Sequence, residues 1–247
     1  MTETRNSNIA VYYHVYLHSD KYRLWLDEQI GAMKQSGLLQ EGQLYVNIMR
    51  NCNDLLLDDC LKYISTAFPE IKNIKVHTQP RYMNRKEGVT LNELYVHACS
   101  EPTTKFLYIH TKGIIRPFKC DTYFPSNDAK PWVYNWRKCM QDNLVKNYKR
   151  CLEDLNTHDV VGVKWKPTPV PHYSGNFWWA NGSYIKTLES PLARSRYWRW
   201  GRFSCEFWVC GNRVEQILGL ARNMSPVLGN PICKKYTYSI SRSGPTL

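Results

Sequence analysis

The chain has 247 residues, of which 43% are hydrophobic and 13% aromatic, and this composition excludes an intrinsically disordered protein. Its formal net charge of +12 at pH 7 attracts polyanions, nucleotides or anionic membrane surfaces, but the basic residues are interspersed and form no basic arm. The sequence contains no run of about 18 apolar residues, so no membrane-spanning helix is predicted, and the polar residues 1–8 are not typical of a signal peptide.

The nine cysteines are scattered, odd in number and contain no C-x-x-C pair. This pattern argues against a disulfide framework and against a zinc site. We therefore expect reduced thiols and a cytoplasmic protein.

The first half of the chain alternates between short apolar or β-branched runs and segments with helical periodicity. Strands are predicted at 8–17, 43–49, 71–79 and 105–111, and helices at 20–37, 54–68 and 90–100. Ser19 or Asp20 is the expected N-cap of the first helix, and Gly37 ends it. Thr90 and Glu93 have the spacing of a capping box for the third helix. The βαβαβαβ order indicates an α/β fold with a mostly parallel sheet and helices on both faces.

Polar residues stand where the fourth strand ends, in the segment His110-Thr111-Lys112-Gly113. In parallel sheets, ligands bind in the crevice beyond the carboxyl ends of the strands. We expect this segment at that edge, together with Tyr12, Tyr13 and His14 of the first strand and the loop from Arg81 to Arg85. The sequence contains neither G-x-G-x-x-G after the first strand nor a P-loop motif, which disfavours a dinucleotide-binding fold and a P-loop NTPase.

The second half of the chain begins with a long predicted helix over 131–155, with Pro131 in its first turn, followed by a strand over 159–165. The segment 171–188 then combines polar and aromatic residues. His172, Ser174 and Asn176 supply hydrogen-bond donors and acceptors, and Gly175 allows close backbone approach. Trp178 and Trp179 are adjacent, so in an extended segment they point to opposite sides, and at most one of them faces a ligand.

Glu206 follows Ser204, a plausible helix N-cap, and so falls in the first turn of a predicted helix. A carboxylate there is stabilised by the helix dipole, which suits a general base that must accept a proton. Asp128 and Asp159 are the competing carboxylates.

The pattern over roughly residues 9–210 resembles nucleotide-sugar glycosyltransferases of the GT-A fold. The segment EGVTLNELYVHACSEPTTKFLYIHTKG (87–113) is similar to their G-x-x-x-x-N helix and the strand that carries a D-x-D motif. GNFWWANGSYIKTL (175–188) is similar to their later Gly-led strand, and SCEFWV (204–209) to the helix start that supplies the base. A closer resemblance, carried by the H-T-K and G-N-F-W-W-A segments together, is to bacterial and large-virus glycan-assembly proteins of the rhamnan-synthesis type.

This resemblance implies a single GT-A-like α/β domain over 1–247, with a donor half at 8–116, an acceptor and catalytic half at 117–230 and a tail at 231–247. It implies an inverting glycosyltransferase that moves a sugar from a UDP- or other nucleoside-diphosphate sugar to a glycan hydroxyl. Glu206 is the expected base. The expected donor-binding residues are Tyr12, Arg81, Asn84, Arg85, His110, Thr111, Lys112 and Gly113. The expected sugar- and acceptor-binding residues are His172, Ser174, Gly175, Asn176, Trp178 and Trp179.

The chain departs from the family at the D-x-D position, where His110-Thr111-Lys112 contains no carboxylate. Mg²⁺ and Mn²⁺ prefer oxygen ligands, so no metal site is predicted. Lys112, helped by Arg81, Arg85 or Arg116, is expected to balance the charge of the departing nucleoside diphosphate instead.

Two other classes of protein remain open at this point. The positive charge and the many aromatic residues suit a nucleic-acid-binding protein, which predicts steeply salt-dependent binding of oligonucleotides. The missing D-x-D motif suits a carbohydrate-binding protein without catalytic activity on a degenerate transferase fold.

Overall fold

A computed structural model describes residues 8–18, 20–50, 54–78, 87–111, 131–166, 171–192, 204–211 and 224–226. The strands are β1 (Ile9–Leu17), β2 (Gln43–Arg50), β3 (Asn73–Thr78), β4 (Lys105–His110), β5 (Val160–Gly162), β6 (Trp165–Lys166), β7 (His172–Tyr173), β8 (Trp178–Asn181) and β9 (Met224–Pro226). The helices are α1 (Tyr22–Ser36), α2 (Leu38–Glu41), α3 (Asp54–Ala67), α4 (Gly88–Ser100), α5 (Pro131–Gln141), α6 (Tyr148–Asp154), α7 (Gly182–Ile185) and α8 (Ser204–Gly211).

The central sheet has seven strands in the order β3-β2-β1-β4-β8-β5-β9. β8 pairs antiparallel with both β4 and β5, and the other pairs in the sheet are parallel. The predicted mixed α/β architecture with a mostly parallel central sheet is therefore confirmed. Strands from both halves of the chain share this sheet, while β6 and β7 form a separate antiparallel pair.

Both faces of the sheet are buried, which explains why β1 is a continuous apolar and aromatic run. Successive side chains of a strand point to opposite faces. Val11, Tyr13 and Val15 accordingly pack in one core with residues of α1, α3, α5 and α6. Ala10 and Tyr12 pack in a second core with residues of α4, α7 and α8.

Two predicted helix starts are wrong. Lys21 is the N-cap of α1 and provides no side-chain cap, although Gly37 ends this helix as predicted, with φ +84°. α4 begins at Gly88, so Thr90 lies inside it, and the Thr90 hydroxyl hydrogen-bonds His14 Nδ1 at 2.8 Å. The predicted capping box is therefore absent from α4.

In the second half of the chain, two elements that were predicted to be continuous are interrupted. The expected helix over 131–155 is interrupted by a π-helical turn at Asp142–Lys146. The expected strand over 159–165 divides into β5 and β6, because Lys164 has a left-handed backbone with φ +54°.

The cysteines conform only in part to the expectation of reduced thiols. Cys60, Cys99, Cys151, Cys205 and Cys210 are free. Cys139 is disulfide-bonded, so the expectation is wrong for that residue. Within the described ranges, no helix combines the length and the apolar character that crossing a membrane requires.

The packing of Gly162 leads to a stability prediction. A Cβ atom at Gly162 would overlap the ring of Tyr173, whereas a Cβ at Gly31 in α1 would have no heavy atom within 4 Å. We expect Gly162→Ala to lower the free energy of unfolding by about 1–3 kcal/mol through overpacking. Gly31→Ala should raise it by about 0.5–1 kcal/mol, because alanine is the better helix former. Urea denaturation measures both changes, and equal effects of the two substitutions would contradict the packing described here.

Candidate functional site

The strand order defines where a ligand would bind. From β1 the chain builds the sheet outward through β2 and β3, and it then returns to place β4 on the other side of β1. This reversal is a topological switch point, and the crevice beyond the carboxyl ends of the two strands is the usual ligand site of an open α/β sheet. His14 of β1 and His110 of β4 lie in register there, and the Thr111 N–H donates to the His14 carbonyl at 3.0 Å.

Tyr12 and Tyr13 do not lie at this edge, because they pair with Tyr108 and Ile109 ahead of the end of β4 and are buried in the two cores. The expectation that they would line the edge is wrong. The Tyr12 ring stacks on Tyr45 with 4.8 Å between centroids, and its hydroxyl lies 3.0 Å from His97 Nδ1. Tyr12 is thus a core residue, and its position does not support contact with a donor.

His110 is buried and its main contacts hold the edge together. Its Nε2 donates to the Gly175 carbonyl at 3.0 Å, and its own carbonyl accepts from Gln29 Nε2 at 3.1 Å. The Gln29 side chain is fixed in turn by the Tyr13 hydroxyl, which donates to Gln29 Oε1 at 2.6 Å. His110 therefore connects β4 to the segment that precedes β8.

Thr111 also has a structural contact. Its hydroxyl accepts the Tyr16 backbone N–H at 3.0 Å, and the residue is buried. The contacts of these two residues explain why an imidazole and a hydroxyl follow a core strand. The other predicted donor-binding residues, Arg81, Asn84, Arg85, Lys112 and Gly113, and also Arg116, lie outside the described residues.

Gly175 and Asn176 form a tight turn ahead of β8, with φ of +94° and +56°. A Cβ atom at Gly175 would lie 2.7 Å from both Met140 Sδ and Trp136 Nε1 of α5, so only glycine fits there. The left-handed backbone of Asn176 is a conformation that costs most L-residues about 1–2 kcal/mol, and asparagine is one of the residues that adopt it most readily.

The Glu206 carboxylate contacts this turn. Glu206 lies in the first turn of α8 and is half-buried, and the Gly175 N–H donates to its Oε1 at 2.6 Å. Among the described residues, no hydrogen bond or ion pair reaches its Oε2. One oxygen of this carboxylate is therefore held in place, and the other is available to accept a proton.

The competing carboxylates differ from Glu206 in position. Asp159 precedes β5, which runs parallel to β4, so Asp159 lies at the amino edge of the sheet, opposite the switch point. Burial raises the pKa of this carboxyl group. Asp128 lies outside the described residues.

Glu87 is a site residue that the sequence did not reveal. It immediately precedes α4, and its Oε2 accepts from Asn176 Nδ2 at 2.7 Å and from the Tyr108 hydroxyl at 3.1 Å. Its Oε1 lies 4.0 Å from His110 Nδ1. Burial, and then the charge of Glu87, hold the pKa of Tyr108 well above its usual value, so this hydroxyl remains a donor. An acidic residue at a helix start is the only local signal in the sequence, and it indicates a favourable dipole contact rather than a site.

The two adjacent tryptophans point to opposite faces, as predicted, and both are fully buried. Trp178 packs on Tyr108 with 5.3 Å between ring centroids, and its Nε1 donates to Asn176 Oδ1. Trp179 Nε1 donates to the Leu144 carbonyl at 2.8 Å. Neither indole presents a face to solvent, so a sugar would contact them only after other side chains moved.

His172 and Ser174 lie on the approach to the turn. His172 of β7 is buried against Phe207 of α8, with 5.0 Å between ring centroids. The Ser174 N–H donates to the Lys164 carbonyl at 3.2 Å. These contacts bring β7 and the turn next to the helix that carries Glu206.

Lys164 is a second residue that sequence reasoning missed. It follows β5 at the same carboxyl edge, and its Nζ lies 5.3 Å from the centroid of the Trp136 ring. Among the described residues it has no carboxylate partner. Burial, and then the charge of Lys166, lower its pKa. Lys164 thus places one half-buried ammonium at this edge.

Within the described ranges, no group of three or more His, Cys, Asp or Glu side chains is close enough to hold a metal ion. Glu87 Oε2 accepts two hydrogen bonds and Glu87 Oε1 faces an imidazole, while Glu206 Oε1 accepts the Gly175 N–H. Of these four carboxylate oxygens, only Glu206 Oε2 has no such neighbour among the described residues. The expectation of a reaction without a metal stays a prediction.

The fold and the edge together define an α/β protein with a switch-point site. The sequence model of the family "Domain of unknown function (DUF8361)" matches residues 12–196, well over half of the chain, so the protein belongs to this family. The matched range contains Glu87, His110 and the Gly175–Asn176 turn, and it ends before Glu206. No curated protein matches the chain.

Lys164 gives a prediction about pH and stability. Its pKa is lower in the folded protein than the ordinary value of 10.5, so folding is penalised wherever the unfolded chain holds the proton. We expect Lys164→Met to raise the free energy of unfolding at pH 7. This gain should shrink as pH rises through the folded-state pKa and vanish above about 10.5, the usual lysine value.

Urea denaturation of both proteins between pH 7 and pH 10.5 measures this difference. The matched control is Lys186→Met, because Lys186 is exposed, and it should change stability by less than about 0.5 kcal/mol. A Lys164→Met protein that is less stable than wild type at pH 7 would contradict the cost assigned to this ammonium.

Proposed function

We propose that the protein is an inverting glycosyltransferase of the GT-A type that uses a nucleoside-diphosphate sugar as donor and a glycan hydroxyl as acceptor. The observation that carries this proposal is the state of Glu206. Its carboxylate lies at the switch-point edge, with Oε1 fixed by the Gly175 N–H and Oε2 without a partner among the described residues. A fixed carboxylate with one open oxygen is what a general base requires.

The architecture supports a nucleotide-linked donor. A mostly parallel sheet with a switch point between β1 and β4 offers a crevice at which nucleotides commonly bind. Lys164 adds a cation at this edge, and the net charge of +12 favours encounter with an anionic substrate. Retaining a charged lysine there at a cost to stability is understandable if a diphosphate is its partner.

In the proposed reaction, Glu206 Oε2 removes the proton of the acceptor hydroxyl. The acceptor oxygen attacks the anomeric carbon on the face opposite the diphosphate, and the bond from that carbon to the diphosphate oxygen breaks. The electron pair leaves with the nucleoside diphosphate, whose growing charge is balanced by Lys112 with Arg81, Arg85 or Arg116, and by Lys164. Fixed cations that face a developing charge are an effective form of transition-state stabilisation.

The role of Glu206 is tested with Glu206→Gln. The amide oxygen of glutamine can still accept the Gly175 N–H, so the turn should be retained while the base is lost. We expect turnover to fall by about 10²–10⁴-fold, with donor affinity close to wild type. Transfer assays against a panel of nucleotide sugars measure turnover, calorimetry measures donor affinity, and NMR of the product reports its anomeric configuration.

Asp159→Asn is the matched control, because Asp159 lies at the opposite edge of the sheet and should leave turnover unchanged. Unchanged turnover in Glu206→Gln would overturn its assignment as the base. Saturable sugar binding by a wild-type protein that transfers nothing would instead favour the carbohydrate-binding alternative. Tight, steeply salt-dependent binding of oligonucleotides without donor binding would favour the nucleic-acid alternative.

Metal dependence is a separate prediction. Because the strand end lacks the acids that hold a metal in the resembling family, we expect full transfer activity in excess EDTA. The measurement is turnover with EDTA, with added Mn²⁺ and with added Mg²⁺. Complete loss in EDTA that Mn²⁺ restores would show that a metal site exists after all.

A further inference from the structure

Glu87 and Glu206 lie on either side of the Gly175–Asn176 turn, and their surroundings differ. Glu87 Oε2 accepts two hydrogen bonds, from Asn176 and Tyr108, and its Oε1 faces His110. Glu206 accepts one hydrogen bond, from the Gly175 N–H. Two carboxylates in different environments usually have different roles. The one surrounded by donors is suited to holding structure, and the one with an open oxygen is suited to chemistry.

The Glu87 side chain is directed into the site rather than to its own helix. It is the N-cap residue of α4, yet it makes no side-chain hydrogen bond that caps the helix. Its carboxylate instead reaches Asn176, 89 positions along the chain, and Tyr108 on β4. The Glu87 carboxylate therefore joins α4 to the turn and to the central sheet.

A short series of contacts links Glu87 to Glu206. Asn176 Nδ2 donates to Glu87, and Asn176 Oδ1 accepts from the Trp178 indole, so this amide is held at both ends. His110, which faces Glu87 Oε1, donates through Nε2 to the Gly175 carbonyl. The adjoining amide of Gly175 then donates to Glu206 at 2.6 Å.

These contacts fix a backbone that would otherwise relax. Asn176 has φ +56°, a left-handed conformation that asparagine tolerates better than most residues but that is less populated than the regions of negative φ. Without the Glu87 carboxylate, the Asn176 amide loses its acceptor, and the turn is free to move toward a lower-energy backbone. Because the Gly175 N–H belongs to the same turn, its movement would also shift the Glu206 carboxylate.

We propose that Glu87 is a positioning residue that locks the Gly175–Asn176 turn and thereby sets the orientation of Glu206. This inference rests on the proposed function where it concerns catalysis, but its structural part can be measured without any transfer activity. Glu87 itself does not act as the base.

The first measurement is the NMR signal of the Gly175 amide in the ¹⁵N-labelled full chain. A hydrogen bond to a carboxylate shifts an amide proton downfield, so an upfield move of this signal in Glu206→Gln identifies it as a report on the contact with Glu206. In Glu87→Ala we expect the signal to move upfield as well.

The second measurement separates positioning from base catalysis by comparing two substitutions at one residue. Glu87→Ala should lower kcat by about 10²-fold, the size expected when a reacting group is displaced by about 1 Å, with the donor KM near the wild-type value. Glu87→Gln should restore most of the lost kcat, because its amide oxygen can still accept from Asn176 and Tyr108. If Glu87 were the base, both variants would be equally inactive, and that result would overturn the proposal.

Glu93→Ala is the matched control, because Glu93 is on the same helix but pairs with Lys75 of β3, away from the turn. It should leave the Gly175 signal and kcat unchanged. If Glu87→Ala does not fold, Asn176→Ala tests the same link, because it removes the side chain held by Glu87 and leaves a residue that disfavours the positive φ. A Gly175 signal that remains as in wild type in Asn176→Ala, or in a folded Glu87→Ala, would overturn the proposal. If the wild type transfers no sugar, the proposed function fails while the NMR result still decides the role of Glu87.

Discussion

The site depends on how closely the Gly175 backbone approaches α5. A side chain at this position would lie 2.7 Å from Trp136 and Met140, so the main chain itself forms the contact with the helix. This approach places the two polar groups of Gly175 between different elements. Its carbonyl faces His110 on β4, and its N–H faces Glu206 on α8. One residue without a side chain therefore joins the sheet edge to the helix that carries the candidate base.

The two cores on either side of the sheet make this contact rigid. Trp179 packs in the core that contains α1 and α5, while Trp178 packs in the core that contains α4 and α8. The strand that follows the turn, β8, is consequently packed on both of its faces. The aromatic richness of this segment is thus explained by packing on both faces of the sheet, which under the proposed function would hold the base in position.

Periodicity in the sequence predicts most of the elements, because a strand buried on both faces and an amphipathic helix leave distinct patterns. It also predicts that Trp178 and Trp179 point in opposite directions and that a polar group ends β4. It does not predict Glu87, whose partners are 21 and 89 positions away and depend on how α4 meets the sheet. Thr90 was misplaced for the same reason, since its hydroxyl serves His14 rather than its own helix.

The unfavourable features of the structure concentrate at one edge. Among the described residues, Lys164 and Asn176 are the two non-glycine residues with positive φ. Both lie between β5 and β8 in the sequence. Lys164 is also a cation whose pKa is lowered by burial, and Asn176 requires Glu87 to hold it. Local strain and a charge without a partner both lower the stability of the fold. They are typically retained where the binding of a ligand offsets that cost. They coincide with the open oxygen of Glu206, so the carboxyl edge, rather than the buried tryptophans, is the place where the proposed function expects its substrate.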